Sequence, residues 1–191
     1  MSEVVPRQTL HTRVSGAILE GAAQIFATQG EQANMNDVAA AAGVARATVY
    51  RYFPNREALV EALAQATASE VDERLASARI NEVAPEEAIA RAVRALVDVG
   101  HSFVLLARER LRSDPERFER SLTQPLRQLF ERGQANGEIR DDIKSARLTE
   151  ALIGLVVGVL TSTPPLGKED MTATINGLFL DGARARGPRP L

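Results

Sequence analysis

Apolar residues recur every three or four positions along most of this 191-residue chain, and glycine or proline interrupts them at intervals of roughly 15 to 25 residues. That pattern predicts amphipathic helices joined by short turns. Runs of alternating β-branched residues are scarce, so the expected fold is all-α, with about nine helices. The first helix is expected over about Thr12 to Gln29, where Val14, Ile18, Ala22, Ile25 and Phe26 form one stripe and Gly30 stops it. Asn34 then caps a short helix, with Asp37 three residues on as the shorter-acid form of a capping box. Met35, Val38, Ala39 and Ala42 give that helix its inner face, and Gly43 ends it. A second short helix, ARATVYRYF, is ended by Pro54. Asn55 caps a long helix over about Arg56 to Ala78, with Leu59, Leu63, Ala66 and Val71 inward.

The rest of the chain reads in the same way. A long amphipathic helix is expected from beyond Pro85 to about Leu111, carrying Ile89, Val93, Leu96, Val97 and Phe103. Asp114-Pro115 opens a short one with Phe118 and Leu122, and Gln124-Pro125 opens another with Leu126, Leu129 and Phe130, which stops near Asn136-Gly137. Ser145 to Ser162 and Lys168 to Gly182 are the last two. The predicted organisation is a helix-turn-helix domain over 10–57, a larger helical domain over 58–183, and a basic, frayed tail over 184–191.

Composition narrows the function. With 23 basic and 25 acidic residues the net charge is -2, which excludes a strongly basic histone-like protein. Cysteine is absent, which removes disulfides, thiolate metal sites and a thiol nucleophile. Histidine occurs only as His11 and His101, little material for zinc or triad chemistry. No apolar leader opens the chain, and the most apolar stretch, Ala151 to Leu160, is far short of the about 20 residues of a membrane span. The expectation is a cytoplasmic protein with no cofactor, no metal and no membrane partner. No glycine-rich phosphate loop follows a strand, and no Glu-x-x-His pair suits a bundle metal site, so an enzyme is not expected.

The informative chemistry lies near the start. A small residue and a glycine between two short helices suit a helix-turn-helix: the axes cross steeply, so Ala42 is expected to be small and Gly43 to take positive φ. Val44 and Val49, with Phe26 and Phe53, would fill the space between helices. Arg46, Ala47, Thr48, Tyr50 and Arg51 cluster on the outer face of the second short helix, with Tyr52 beside them. The chain has only two tyrosines, and both flank Arg51. Between Gly43 and Arg56 there are three arginines and no acid. Such a face suits the major groove, with Arg on guanine edges or phosphates, Thr on either, and Tyr hydroxyls on phosphates.

ILEGAAQIFATQG followed by NMNDVAAAAGVARATVYRYFPNREAL resembles the N-terminal domain of the tetracycline-repressor-like (TetR/AcrR) transcriptional regulators. The resemblance covers about Val14 to Leu59. It rests on the Ile-Leu…Phe…Gly frame, the Val-Ala…Ala-Gly-Val turn, the Thr-x-Tyr-x-x-Phe helix and Asn-x-Glu-x-Leu. It implies an all-helical homodimer in which each subunit joins a three-helix DNA-binding domain, through the fourth helix, to a ligand-binding and dimerisation domain. It further implies base contacts from Asn36, Arg46, Ala47, Thr48 and Arg51, and phosphate contacts from Asn34, Tyr50, Tyr52 and Arg56. Asn34 and Met35 stand where the family usually has a threonine pair, and Arg56 where lysine is common. These departures keep a cap and a charge.

Beyond that domain the pattern alone speaks. Gly154 and Gly158 lie four apart on a helix apolar almost all round. With Ile175, Leu178 and Phe179 of the last helix they would supply half of an intersubunit four-helix bundle, although contact within the subunit is equally open. A small apolar effector is expected in a cavity framed by Leu63, His101, Phe103, Phe118, Leu126, Phe130 and Val157. For His101, a hydrogen-bonded core or surface position competes with the pocket. The chain thus reads as a ligand-responsive repressor that binds a palindromic operator as a dimer. The alternatives are a helical protein-interaction module whose helix-turn-helix no longer binds DNA and, third, a helical-bundle enzyme.

Overall fold

The computed structural model describes residues 4–109 and 115–185, with backbone only at 4–9, 31, 108 and 109. Among these residues there are nine helical runs and no strand, only an isolated antiparallel bridge between Ile139 and Arg184. None of the described helices is long and apolar enough to cross a membrane. The chain divides into two compact units between Ala66 and Thr67.

The N-terminal unit holds α1 (Val4–Gln29), α2 (Met35–Ala41), α3 (Arg46–Tyr52) and the first part of α4 (Arg56–Ser77). α1 begins before the expected Thr12, and Pro6 sits in its first turn, where the missing N–H has no intrahelical partner to lose. Ile18, Ala22 and Phe26 of α1 are buried with Val38 of α2, Val49 of α3 and Leu59 of α4. A close approach that the sequence did not single out is at Gly21. A Cβ on Gly21 would lie 2.9 Å from the Ala42 nitrogen and 3.2 Å from the Ala41 carbonyl carbon, so only glycine lets α1 cross the end of α2.

The C-terminal unit packs α5 (Pro85–Val99) against α8 (Gln124–Ala135) and α10 (Lys168–Ala183), while α9 (Ser145–Leu160) meets α6 (His101–Glu109), α8 and α10. Its fully buried side chains include Ile89, Leu96, Phe103, Leu126, Phe130, Leu152 and Ile175. Three expectations change, two of them in this unit and one on α4. The single helix expected from Pro85 is broken at Gly100, whose φ of 66° is open to glycine, so α6 starts afresh at His101. Its expected end at Leu111, and Asp114, lie outside the described residues. The two short helices expected around Pro115 and Pro125 are instead one run. α7 (Pro115–Phe118) passes through a π turn (Glu119–Thr123) into α8. Pro125 has no N–H and would crowd the carbonyl four residues back. The chain widens ahead of it, and the Gln124 N–H reaches five residues back to the Glu119 carbonyl. On α4, Ala66 is exposed, and Ala64, Thr67 and Ala68 are buried in its place.

The start of the expected frayed tail is tied down. The Arg140 N–H donates to the Ala183 carbonyl at 2.9 Å, and the Ala185 N–H to the Glu138 carbonyl at 2.9 Å. The Arg184 guanidinium donates to both oxygens of Glu86, at 2.7 and 3.1 Å. These bonds hold the Glu86 carboxyl below the usual carboxylate range.

Candidate nucleic-acid interface

The interface is built on caps. The Asn34 side chain accepts from the N–H groups of Asn36 at 2.9 Å and Asp37 at 3.3 Å, and Asp37 accepts from the Asn34 N–H at 3.2 Å. This is the reciprocal box the sequence predicted, and it engages the Asn34 carbonyl oxygen, leaving its amide NH2 as the outward group. At the other end of α2 the Gly43 N–H donates to the Ala40 carbonyl at 3.2 Å and the Val44 N–H to the Ala39 carbonyl at 3.0 Å. Gly43 has φ 64°, as expected of a left-handed C-terminal cap, and it turns the chain into α3.

α3 buries Val49 completely and turns its other face to solvent. Arg46, Ala47, Tyr50 and Arg51 are exposed, and Thr48 and Tyr52 are half-buried. The Arg46 guanidinium lies over the Tyr50 ring at 5.3 Å and the Arg51 guanidinium over the Tyr52 ring at 5.5 Å. Neither arginine has a carboxylate partner among the described residues. Asn34 and Asn36 are exposed at the start of α2. Among the described residues of this unit the local order runs without any long-range ion pair, which is why so much of it is legible in the residues themselves.

Arg56 behaves differently from the other cations. Its guanidinium sits over the Phe26 ring at 4.8 Å, donates to the Gly30 carbonyl at 3.4 Å and has a buried Nε without a partner. It fastens the start of α4 to the end of α1 and is half-buried. Sequence reasoning also passed over His11, whose ring lies 4.5 Å from that of Tyr52. No spacing signal joins the two, because they meet only through the fold.

The expected effector residues separate. Phe103, Phe118, Leu126 and Phe130 are buried in the C-terminal unit and Val157 is half-buried there, whereas Leu63 is buried in the N-terminal unit. His101 is exposed at the first position of α6, which removes it from the apolar cavity proposed for it. A polar cleft of about 590 Å³ between α4 and α5, lined by Glu70, Glu73, Arg74, Arg91, Arg94 and Asp98 among others, contains none of the expected effector residues. The expected dimer residues separate too. Gly154, Gly158 and Leu178 are exposed, Leu178 to 63%, but Ile175 and Phe179 are buried within the subunit, Phe179 with its ring 5.6 Å from that of Phe130.

Residues 18–63 match the model of the bacterial regulatory proteins of the tetR family. Over 160 residues the chain is 28% identical to the HTH-type transcriptional regulator NfxB of Pseudomonas aeruginosa, covering 80% of this chain and 85% of that one. Over 110 residues it is 34% identical to the HTH-type transcriptional repressor LfrR of Mycolicibacterium smegmatis, covering 54% of this chain and 55% of that one. The fold matches the structure of LfrR in complex with proflavine, with a TM-score of 0.73 at 22% identity over 91% of this chain and 97% of that one. It also matches AibR in complex with isovaleryl coenzyme A and operator DNA, with a TM-score of 0.67 at 20% identity over 86% of this chain and 97% of that one.

Proposed function

We propose that the chain is a DNA-binding transcriptional regulator whose N-terminal domain works as those of the tetR family it resembles, a repressor that binds a palindromic operator as a homodimer and leaves it when a small apolar effector binds. The observation that carries the reading is the outer face of α3: Arg46 and Arg51 stand exposed on tyrosine rings, with no carboxylate among the described residues to neutralise them. A cation held by a ring is anchored by only about 0.5–1 kcal/mol at an exposed site, so it is ordered yet free to turn to a phosphate or a guanine edge. Arg46, Ala47, Thr48, Arg51 and Asn36 are assigned to bases, and Asn34, Tyr50 and Tyr52 to phosphates. Arg56 keeps a phosphate role only as far as its seat on Phe26 and Gly30 allows.

Two such faces in a dimer would enter successive major grooves about 34–36 Å apart. The exposed Gly154, Gly158 and Leu178 on α9 and α10 are the surface proposed to meet the second subunit. The effector would lodge beside the buried Phe103, Phe118, Leu126 and Phe130, with Val157 at its edge. LfrR with proflavine and AibR with isovaleryl coenzyme A support ligand response as the mode of control. A coupling of about 1–3 kcal/mol between effector and operator suffices to change occupancy 5- to 150-fold.

Selection of duplexes from a random pool tests the reading. The expected outcome is a two-fold symmetric consensus bound by two chains. If six to ten phosphates are neutralised, affinity falls by roughly 10³ to 10⁵ between 50 and 200 mM salt. Failure to enrich any sequence, with no binding at low salt, would overturn it.

A further inference from the structure

Tyr52 closes the exposed ridge of α3, and it is half-buried in part because a residue from α1 covers it. His11, itself exposed, lays its imidazole against the Tyr52 ring, with centroids 4.5 Å apart and planes inclined by 39°. Tyr52 also meets the Phe53 ring at 6.5 Å and carries the Arg51 guanidinium at 5.5 Å. The stack is a tertiary contact, since His11 belongs to neither of the helix-turn-helix elements α2 and α3. It sets an imidazole against Tyr52, at the end of the ridge.

We propose that His11 is a further DNA-backbone contact: its imidazole extends the ridge onto α1 and donates an N–H to a phosphate next to the one reached by Tyr52. This rests on α3 being the DNA-binding face. The chemistry favours a contact over simple packing. A stack on Tyr52 needs only a ring, and an exposed imidazole buries little apolar surface in forming one. What it adds is an edge donor, because a neutral imidazole always keeps one N–H and presents it from either nitrogen. No hydrogen-bond partner engages that donor among the described residues. Tyr52, the ring it stacks on, also carries the Arg51 guanidinium, so a phenol with both a guanidinium and an imidazole against it is what an incoming phosphate would meet. An N–H to a charged oxygen stands among the stronger neutral-donor bonds, which suits one flanking contact.

The test compares the wild type with His11→Phe and His11→Ala, on the duplex selected from the random pool and on an unrelated duplex of equal length, by fluorescence anisotropy at low salt. His11 is exposed, and the phenylalanine variant keeps a ring on Tyr52, so both variants should fold. The expected result is a roughly tenfold weaker Kd for both variants on both duplexes. Wild-type affinity in His11→Phe would overturn the proposal, because the ring alone would then account for the residue. A loss confined to the selected duplex would also overturn it, since a phosphate carries no sequence. A wild type that ignores every duplex would overturn the DNA reading of α3 itself, a different result from either of these.

Discussion

The two units use arginine in opposite ways. Beyond residue 69 most of the described arginines are drawn into ion pairs and carbonyl contacts, among them Arg74 with Glu70, Arg91 with Glu87, Arg127 with Glu119, Arg140 with Asp142 and Arg184 with Glu86. Arg132 instead donates to the Ile80 carbonyl at 2.7 Å and the Val83 carbonyl at 3.3 Å, closing the turn between α4 and α5. In the N-terminal unit Arg46, Arg51 and Arg56 rest on Tyr50, Tyr52 and Phe26. A carboxylate partner spends a cation's charge on the protein, whereas a ring leaves that charge available to an outside anion. The contrast locates function more sharply than net charge does, because the chain as a whole is slightly acidic.

The strongest challenge to this contrast is to remove a ring seat. Phe26 is 2% exposed and lies beneath Arg56, so Phe26→Ala should cost the N-terminal unit about 3–5 kcal/mol, read by urea denaturation. A loss far smaller than that would mean the seat is not part of the core. Next comes the difference between the two kinds of arginine. Arg51→Ala should weaken operator binding by about 1–3 kcal/mol and relax sequence choice, while Arg91→Ala, in its pair with Glu87, should leave binding unchanged. Equal effects would erase the distinction.

Arg56→Lys probes the intermediate case. Lysine keeps the charge but loses the flat stack and the reach to Gly30, so a packing role predicts a stability loss of about 1 kcal/mol, whereas a phosphate role predicts near wild-type binding. Denaturation and anisotropy on the same variant separate the two. The smallest effect belongs to Arg184→Ala. The Glu86 carboxyl is held low chiefly by the hydrogen bonds from Arg184. A lowered carboxyl stabilises the fold above its unfolded value and loses that contribution as pH falls through the folded one. The wild type should therefore be slightly more stable than the variant at neutral pH and equal to it in acid, as thermal unfolding at pH 7 and pH 3 would show.

What the sequence revealed follows the range of the interactions. The Asn34 box and the positive φ of Gly43 involve neighbours within a few residues, and both were readable. The break at Gly100 was not, because Leu96, Val97 and Phe103 keep an apolar stripe running through it. Gly21 gave no signal, because its need for no side chain arises from the crossing of α1 with α2. Leu152 to Leu160 of α9 is apolar almost all round, and the exposed side of α10 carries Leu178 among its polar residues. Pattern could not tell the buried Ile175 and Phe179 from the exposed Gly154, Gly158 and Leu178.

The ring of Tyr52 under His11 and the seat of Arg56 on Phe26 have a practical consequence for anyone building chimeras. The seven residues of α3 do not carry their own aim. Transplanting that helix alone into another scaffold would move the letters without the hand that holds them. A graft meant to transfer recognition should take residues 11–56 as one block.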